Sequence, residues 1–220
     1  MAVAPVVADM EPGVAAPVFC FDLASPLCYL AAERVLHSFD GRAAWLPVDL
    51  KALPQAAERF DDFRCAQEEE AFRADVERRA VELGLQPLRW PQPFPFDSAL
   101  ALRAATYAKE IGRGAAFALA AFRQAFAGGH ALDSEDYVLI AAAACEMHPR
   151  AVRSAIASEA VAERLRSATA TAVARGAVEL PAFLLDGDTL IGERALERAA
   201  GRAQAAGREG ATAREQAAGR

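Results

Sequence analysis

The sequence predicts an α/β fold in which a long helical segment interrupts a β-sheet. Three observations indicate this fold: an apolar strand that runs into a helix within residues 17–36, a series of helical patterns over 55–175, and a hairpin pattern over 179–191. A chain of 220 residues with 54% hydrophobic content can bury a sizeable core. We therefore expect one domain with a large helical insertion.

The first strand and helix come from the stretch PVFCFDLASPLCYLAAERVL, which begins at Pro17. Its run of β-forming apolar residues is typical of a strand buried on both faces. Ser25 is a preferred helix N-cap and Pro26 suits the first helical position. The unpaired N–H groups and the macrodipole of such a helix start stabilise an anion. The pattern thus predicts a strand, a tight turn and a helix with a hydroxyl at its N-terminus.

Ser25 and Cys28 have the spacing of a C-x-x-C motif whose first cysteine is replaced by serine. Dithiol chemistry therefore lacks its nucleophile. Serine followed by proline is also an ordinary capping pair, so a purely structural role for Ser25 is the alternative. Cys20 falls in the strand and Cys145 in an alanine-rich helix, where free cysteine packs as a small hydrophobe.

The remaining elements follow from periodicity and from turn residues. Residues 44–50 predict a second strand, which the intervening helix makes parallel to the first. The charged helix predicted within 55–84 is expected to direct its charges to solvent. After a proline-rich connector, further helices are predicted over about 98–111, 114–126, 134–147 and 150–175. A hairpin that turns at Asp186-Gly187 follows, and the last helix begins at Gly192-Glu193-Arg194.

Composition excludes several classes of function. The net charge of -6 argues against a nucleic-acid binder, because neutralising phosphates needs a basic surface. The four cysteines and three histidines have no metal-ligand spacing, so no metal site is expected. The first 16 residues lack the features of a secretion signal, and no stretch is long and apolar enough to span a membrane. We expect a cytoplasmic protein without a membrane partner.

Three segments resemble one known family. FDLASPLCYLA, from Phe21 to Ala31, resembles the family's YFDFxSPYSYLA; PFDSALALRAA, from Pro95 to Ala105, resembles FPxNSxxAxRAA; and VELPAF, ending at Phe183, resembles GVPTF. These are motifs of the DsbA-like thioredoxin-fold proteins. Within that family they resemble the branch of 2-hydroxychromene-2-carboxylate isomerases and kappa-class glutathione transferases.

The resemblance implies a thioredoxin-like fold with a large all-helical insertion. Residues 17–54 and 176–200 would form the thioredoxin-like domain and 55–175 the helical insertion. A flexible N-terminus over 1–16 and a disordered tail over 201–220 would flank them; the tail is predicted from its few large apolar residues.

The resemblance also implies a glutathione site. In the isomerase branch, the serine that matches Ser25 hydrogen-bonds the glutathione sulfur. The proline that matches Pro181 is cis, and Leu180 before it would pair with the ligand backbone. The full expected set of cofactor-binding residues is Ser25, Pro26, Leu180, Pro181, Glu193 and Arg194, with Ser25 and Cys28 as the catalytic candidates.

The last part of this site departs from the family pattern. The branch reads FWGQDR, and its acidic residue and arginine hold the γ-glutamyl end of glutathione. Here the stretch LIGER, from Leu190 to Arg194, lacks the tryptophan and one residue. Glu193 and Arg194 are the residues that would take over these two contacts.

Three functions remain open on sequence grounds. The first is a glutathione-dependent isomerase or transferase in which a glutathione thiolate, stabilised by Ser25, adds to a small electrophilic or aromatic-derived substrate. The second is a thiol-disulfide oxidoreductase that uses Cys28. The third is a non-catalytic binding module of the same fold. The alanine-rich helices make a homodimer plausible in each case.

Overall fold

The computed structural model describes residues 16–54, 65–192 and 194–218, and these ranges contain one four-stranded sheet. The strand order is β2-β1-β3-β4. β1 pairs in parallel with β2 and antiparallel with β3, which forms a hairpin with β4. The bounds are β1 (Val18–Phe21), β2 (Ala44–Pro47), β3 (Ala182–Leu185) and β4 (Asp188–Ile191). This topology confirms the predicted α/β class, the parallel first unit and the hairpin.

The described helices follow β1, fill the segment between β2 and β3, and close the chain. Their bounds are α1 (Pro26–Ser38), α2 (Ala66–Glu82), α3 (Ala99–Glu110), α4 (Gly114–Phe126), α5 (Glu135–Ala143), α6 (Pro149–Ala157), α7 (Glu159–Ala174) and α8 (Ala195–Ala218). A short 3₁₀ helix, η1 (Leu50–Ala52), follows β2. In the part of the chain described, no helix combines the length and apolar character needed to cross a membrane.

The structure corrects three sequence predictions. The helix expected over 150–175 is two helices, because the Ser158 Oγ accepts from the Val161 backbone N–H at 3.4 Å and starts α7. The second strand ends at Pro47, before η1. Residues 201–218 continue α8 and are not a disordered tail. Their alanine, arginine, glutamate and glutamine residues favour helix.

Some predictions concern residues outside the described ranges. These are the flexible N-terminus up to residue 15, the part of the predicted charged helix that falls in 55–64, Glu193, and the last two residues. Within the described segment, α2 accounts for the remainder of that charged helix.

Aromatic packing joins the sheet to the insertion. Phe19 on β1 contacts Trp45 on β2 and Phe183 on β3, with ring centroids 5.0 and 5.1 Å apart. Phe21 contacts Phe122 on α4 at 5.7 Å. All of these side chains are buried, so the sheet and the helical insertion share one apolar core.

Ion pairs tie α1 to helices on either side. Arg123 on α4 donates from Nε and from one terminal nitrogen to the two carboxylate oxygens of Glu33, both at 2.7 Å. Arg34 pairs with Glu197 on α8 at 2.6 Å. A two-point arginine–carboxylate contact constrains orientation as well as distance. α1 is therefore held between the insertion and the C-terminal helix.

Replacing Phe122 by alanine should strongly destabilise the protein. The side chain is fully buried between β1 and α1, and its removal leaves a cavity. We expect a loss of roughly 3–5 kcal/mol in the free energy of unfolding, measured by denaturant titration. Ile140→Ala is the control, because that side chain is 54% exposed and should change stability by no more than about 0.5 kcal/mol. Equal losses in the two variants would contradict the shared core.

Candidate functional site

The N-terminus of α1 carries the predicted serine. Ser25 caps the helix, with its Oγ accepting from the Cys28 backbone N–H at 3.2 Å and Pro26 following at the first helical position. The Ser25 residue is only 1% exposed. The hydroxyl oxygen accepts in the cap and its proton is directed to the Cys28 sulfur, so the hydroxyl has to rotate to donate to the sulfur of a ligand.

Cys28 lies one turn further along α1 and is fully buried. Burial raises the pKa of its thiol to about 12, although hydrogen bonds from the Ser25 side chain and the Asp22 backbone act in the opposite direction. Since the thiolate is the reactive form of cysteine, burial and the raised pKa both oppose reaction of this thiol at neutral pH. Burial raises the pKa of Cys20 to about 12 as well.

A buried carboxylate supports the turn between β1 and α1. Asp22 is 1% exposed, and its two oxygens accept from the Ala24 backbone N–H at 2.8 Å and from the Leu50 backbone N–H at 2.9 Å. The Ser98 side chain is a third hydrogen-bond partner. Sequence reasoning placed Asp22 in a motif without giving it a role, yet an acidic residue directly after an apolar strand is the signal that could have identified it.

The start of β3 lies beside the end of β1. Cys20 is opposite Ala182 in the antiparallel register, so the residues that follow β1 and those that precede β3 share one edge of the sheet. The Leu180-Pro181 peptide bond is cis, as the resemblance implied, and both residues are buried. The structure thus brings Leu180 and Pro181 to the same end of the sheet as Ser25.

A cavity of about 330 Å³ opens next to this edge. Its lining, called here the arginine cleft, comes from α1, from the end of α2, and from residues around the hairpin and the start of α8. It consists of Leu27, Leu30, Ala31, Arg34, Arg78, Arg79, Glu82, Leu83, Pro181, Arg194, Leu196 and Glu197. Ser25 is not part of this lining. The lining residue nearest to Ser25 in the sequence is Leu27, which is half-buried.

The arginine cleft is basic, with four arginines and two glutamates among its lining residues. Arg34 pairs with Glu197, and Arg78 pairs with Glu82 and with Asp75. Arg194 is exposed and forms no ion pair within the described part of the chain. The cleft therefore offers positive charge to an anionic ligand, although the whole chain has a net charge of -6.

The charges of α2 mostly face solvent, as the sequence predicted, and Arg78 is among the exposed side chains. The sequence did not predict that Arg78 and Arg79 also line the cleft. Only the packing of α2 beside α1 reveals this role, because the two helices are separated by a long stretch of chain. Of the predicted site residues, Glu193 lies outside the described residues. Within the described ranges of the chain, no cluster of histidine, cysteine or acidic side chains could hold a metal ion.

Comparisons with solved structures agree with this architecture. A 2-hydroxychromene-2-carboxylate isomerase has a TM-score of 0.73 and 23% sequence identity, covering 84% of this chain and 94% of its own. A probable DsbA oxidoreductase from Streptomyces coelicolor has a TM-score of 0.68 and 20% identity, covering 86% and 88% respectively. The cytosolic disulfide reductase DsbM from Pseudomonas aeruginosa, solved with GSH, has a TM-score of 0.58 and 15% identity, covering 91% and 99%. At these identities the similarity concerns the fold.

Sequence comparison is more specific about the family. No curated protein shows a significant match to the chain. The family model of the DSBA-like thioredoxin domain, however, matches residues 18–204, which is most of the chain. This match spans both parts of the sheet and the helices between them. The chain belongs to the family of DSBA-like thioredoxin domains.

Proposed function

We propose that this protein is a glutathione-dependent isomerase or transferase in which Ser25 stabilises the glutathione thiolate. The observation that carries the proposal is the arginine cleft, which joins cis-Pro181 to the first turn of α1. It is a concave, positively charged site beside a helix N-terminus that carries a hydroxyl where other thioredoxin-type motifs carry a cysteine. The GSH present in the structure of the DsbM relative supports the choice of ligand.

The chemistry of the cleft fits glutathione. This tripeptide has two carboxylates and one ammonium group, and guanidinium groups bind carboxylates through paired hydrogen bonds. Arg194 and Arg34 would hold the carboxylates, while Glu82 or Glu197 would accept from the ammonium group. Leu27 and Pro181 supply apolar surface between the charged groups.

The protein's role in the reaction follows from the α1 N-terminus. When bound, glutathione supplies a thiolate nucleophile for a small electrophilic or aromatic-derived substrate. The Ser25 hydroxyl would donate to the sulfur, and the Leu27 N–H, which has no helical acceptor in the first turn, adds to the positive end of the helix dipole. An ordinary thiol has a pKa of about 8.5, and both contacts lower it toward neutrality. Because Ser25 is buried, the site has to open for the sulfur to reach it.

The alternative of disulfide exchange through Cys28 is less consistent with the site. Exchange needs an accessible thiolate, whereas Cys28 is buried and its pKa is raised to about 12. A binding module without catalysis would use the same cleft and the same ligand. The pKa of the bound thiol separates these cases, since only an enzyme of the proposed type has to lower it.

Glutathione should bind to the wild-type protein, and Ser25→Ala should weaken binding by about tenfold, because a hydrogen bond to a charged sulfur is lost. Calorimetric titration at neutral pH measures both affinities, and ultraviolet absorbance of the thiolate gives the pKa of the bound thiol. S-methylglutathione, which has no ionisable thiol, should bind both proteins equally. The absence of binding at millimolar glutathione would contradict the proposed function.

Arg194 supplies a second test within the same titration. Arg194→Ala should weaken binding of glutathione and of S-methylglutathione alike, because it removes a carboxylate contact and leaves the sulfur contact in place. The control is Arg42→Ala, which removes an exposed positive charge beyond the far end of α1. Equal effects of the two changes would exclude a specific contact to Arg194.

Cysteine reactivity tests the alternative function. Cys65 is exposed and the other three cysteines are buried, so a thiol reagent at neutral pH should modify Cys65 alone in the folded protein. Cys65→Ser should be unreactive until denaturant exposes the remaining thiols. Rapid reaction of folded Cys65→Ser that disappears in the Cys65→Ser/Cys28→Ser double variant would instead favour exchange chemistry at Cys28.

A further inference from the structure

We propose that Asp22 is a positioning residue for Ser25: its buried carboxylate connects the N-terminal ends of α1, η1 and α3 and thereby holds the Ser25 hydroxyl in place for bound glutathione. This inference rests on the proposed function and assigns a role to a residue outside the cleft. Asp22 does not line the arginine cleft, so it would act through Ser25 and not on the ligand directly.

Three segments meet at the Asp22 carboxylate. One oxygen accepts from the Ala24 N–H in the turn before α1, and the other accepts from the Leu50 N–H at the start of η1. The third partner is the side chain of Ser98, the residue that precedes the first turn of α3. Because positive ends of helix dipoles and backbone N–H groups stabilise an anion, an ionised Asp22 fits this junction.

The backbone of Asp22 contacts the site as well. Its carbonyl oxygen accepts from the Ser25 backbone N–H at 3.2 Å. The Asp22 backbone also forms a hydrogen bond with the Cys28 sulfur that lowers the pKa of this thiol. Ser25 is therefore connected to Asp22 directly through the backbone and indirectly through Ala24. A movement of the carboxylate changes the turn that ends at Ser25.

The charge of Asp22 is not balanced by a cation. Within the described residues, Asp22 forms no ion pair. Asp49, at the start of η1, has the same sign and raises the pKa of Asp22 further. The ion pair between Lys51 on η1 and Asp97 before α3 is exposed to solvent. On α1, the Cys28 thiol interacts electrostatically with Asp22. A buried carboxylate without a cation is costly to keep, which suggests a role beyond packing.

The pH dependence of stability tests the charge of Asp22. Burial raises its pKa from the ordinary 3.8 to about 6. A raised pKa in the folded state means that this group's stabilising contribution is complete below the ordinary pKa and is lost as the pH rises through about 6. On acidification from pH 7 to pH 4, wild type should therefore gain stability relative to Asp22→Asn, measured as the difference in denaturation midpoint. Parallel pH curves for the two proteins would contradict a raised pKa for Asp22 and would overturn the assignment of a carboxylate that burial holds out of water.

A double-mutant cycle on glutathione affinity tests the positioning role. Asparagine has the same shape as aspartate but places an NH₂ group against the N–H of Ala24 or Leu50, which disturbs the turn. We expect Asp22→Asn to weaken glutathione binding by about tenfold, and by less than about twofold when Ser25 is already alanine. A merely structural residue would weaken binding equally in both backgrounds, and that result would overturn the proposal.

A second readout does not depend on glutathione. The Cys28 backbone N–H is bonded to the Ser25 Oγ, so its hydrogen exchange, followed by NMR, reports the position of that hydroxyl. In Asp22→Asn this amide should exchange faster than in wild type, as it should in Ser25→Ala. Unchanged exchange overturns the proposal, whether or not glutathione binds. Faster exchange in a protein that does not bind glutathione supports the role of Asp22 and contradicts only the proposed function.

If Asp22→Asn does not fold, Ser98→Ala is the variant that tests the same proposal. This variant removes one hydrogen bond to the carboxylate, a bond that lowers the pKa of Asp22. The midpoint of the pH-dependent change in stability should move to higher pH, and the Cys28 amide should exchange faster than in wild type. Ser134→Ala is the matched control, because that serine precedes α5 without a side-chain capping bond. Identical behaviour of the two serine variants would overturn the proposal.

Discussion

The burial of β1 on both of its faces is the constraint on which the rest of the structure depends. Phe19 and Cys20 are fully buried and Phe21 is 1% exposed. Successive side chains of a strand point to opposite faces, so neither face of β1 can be left to solvent. The helical insertion meets part of this need, with Phe122 packed against Phe21. The same constraint affects the site, because Ser25 lies a few residues after the end of β1 and is buried as well.

The site consists of two layers with opposite charge. The lower layer is the Asp22 carboxylate, whose hydrogen-bonding partners all belong to the fold. The upper layer is the arginine cleft, in which Arg194 has no ion-pair partner among the described residues. The lower layer holds the turn and the upper layer attracts an anion. In the proposed function, Ser25 is the group that Asp22 positions and that acts on the ligand sulfur.

The replacement of the first motif cysteine by serine changes what the helix N-terminus can do. A cysteine at that position would itself become the nucleophile, stabilised by the helix dipole. With Ser25 there, the same electrostatic environment is available for a sulfur brought by a ligand. The remaining motif thiol, Cys28, is buried and protonated, so it does not compete for this role.

The sequence by itself determined the local features of this protein. The Ser25-Pro26 helix start, the turn at Asp186-Gly187 and the alternation of strand and helix follow from interactions within a few residues. The family motifs extended that reading to the thioredoxin-like fold. Two of the three corrected predictions concern helices. Ser158 interrupts a predicted helix through a capping bond, and α8 continues through 201–218 because of its helix propensity.

Only the tertiary structure decided the burial of Ser25 and Cys28, the contacts of Asp22 with Leu50 and Ser98, and the arginine cleft. The cleft brings together Arg34, Arg78 and Arg194, which are far apart in the chain. Burial and electrostatic potential depend on distances between such residues. Sequence spacing within one element does not encode these distances, because they are set by the way the helices pack around a strand that must be covered on both faces.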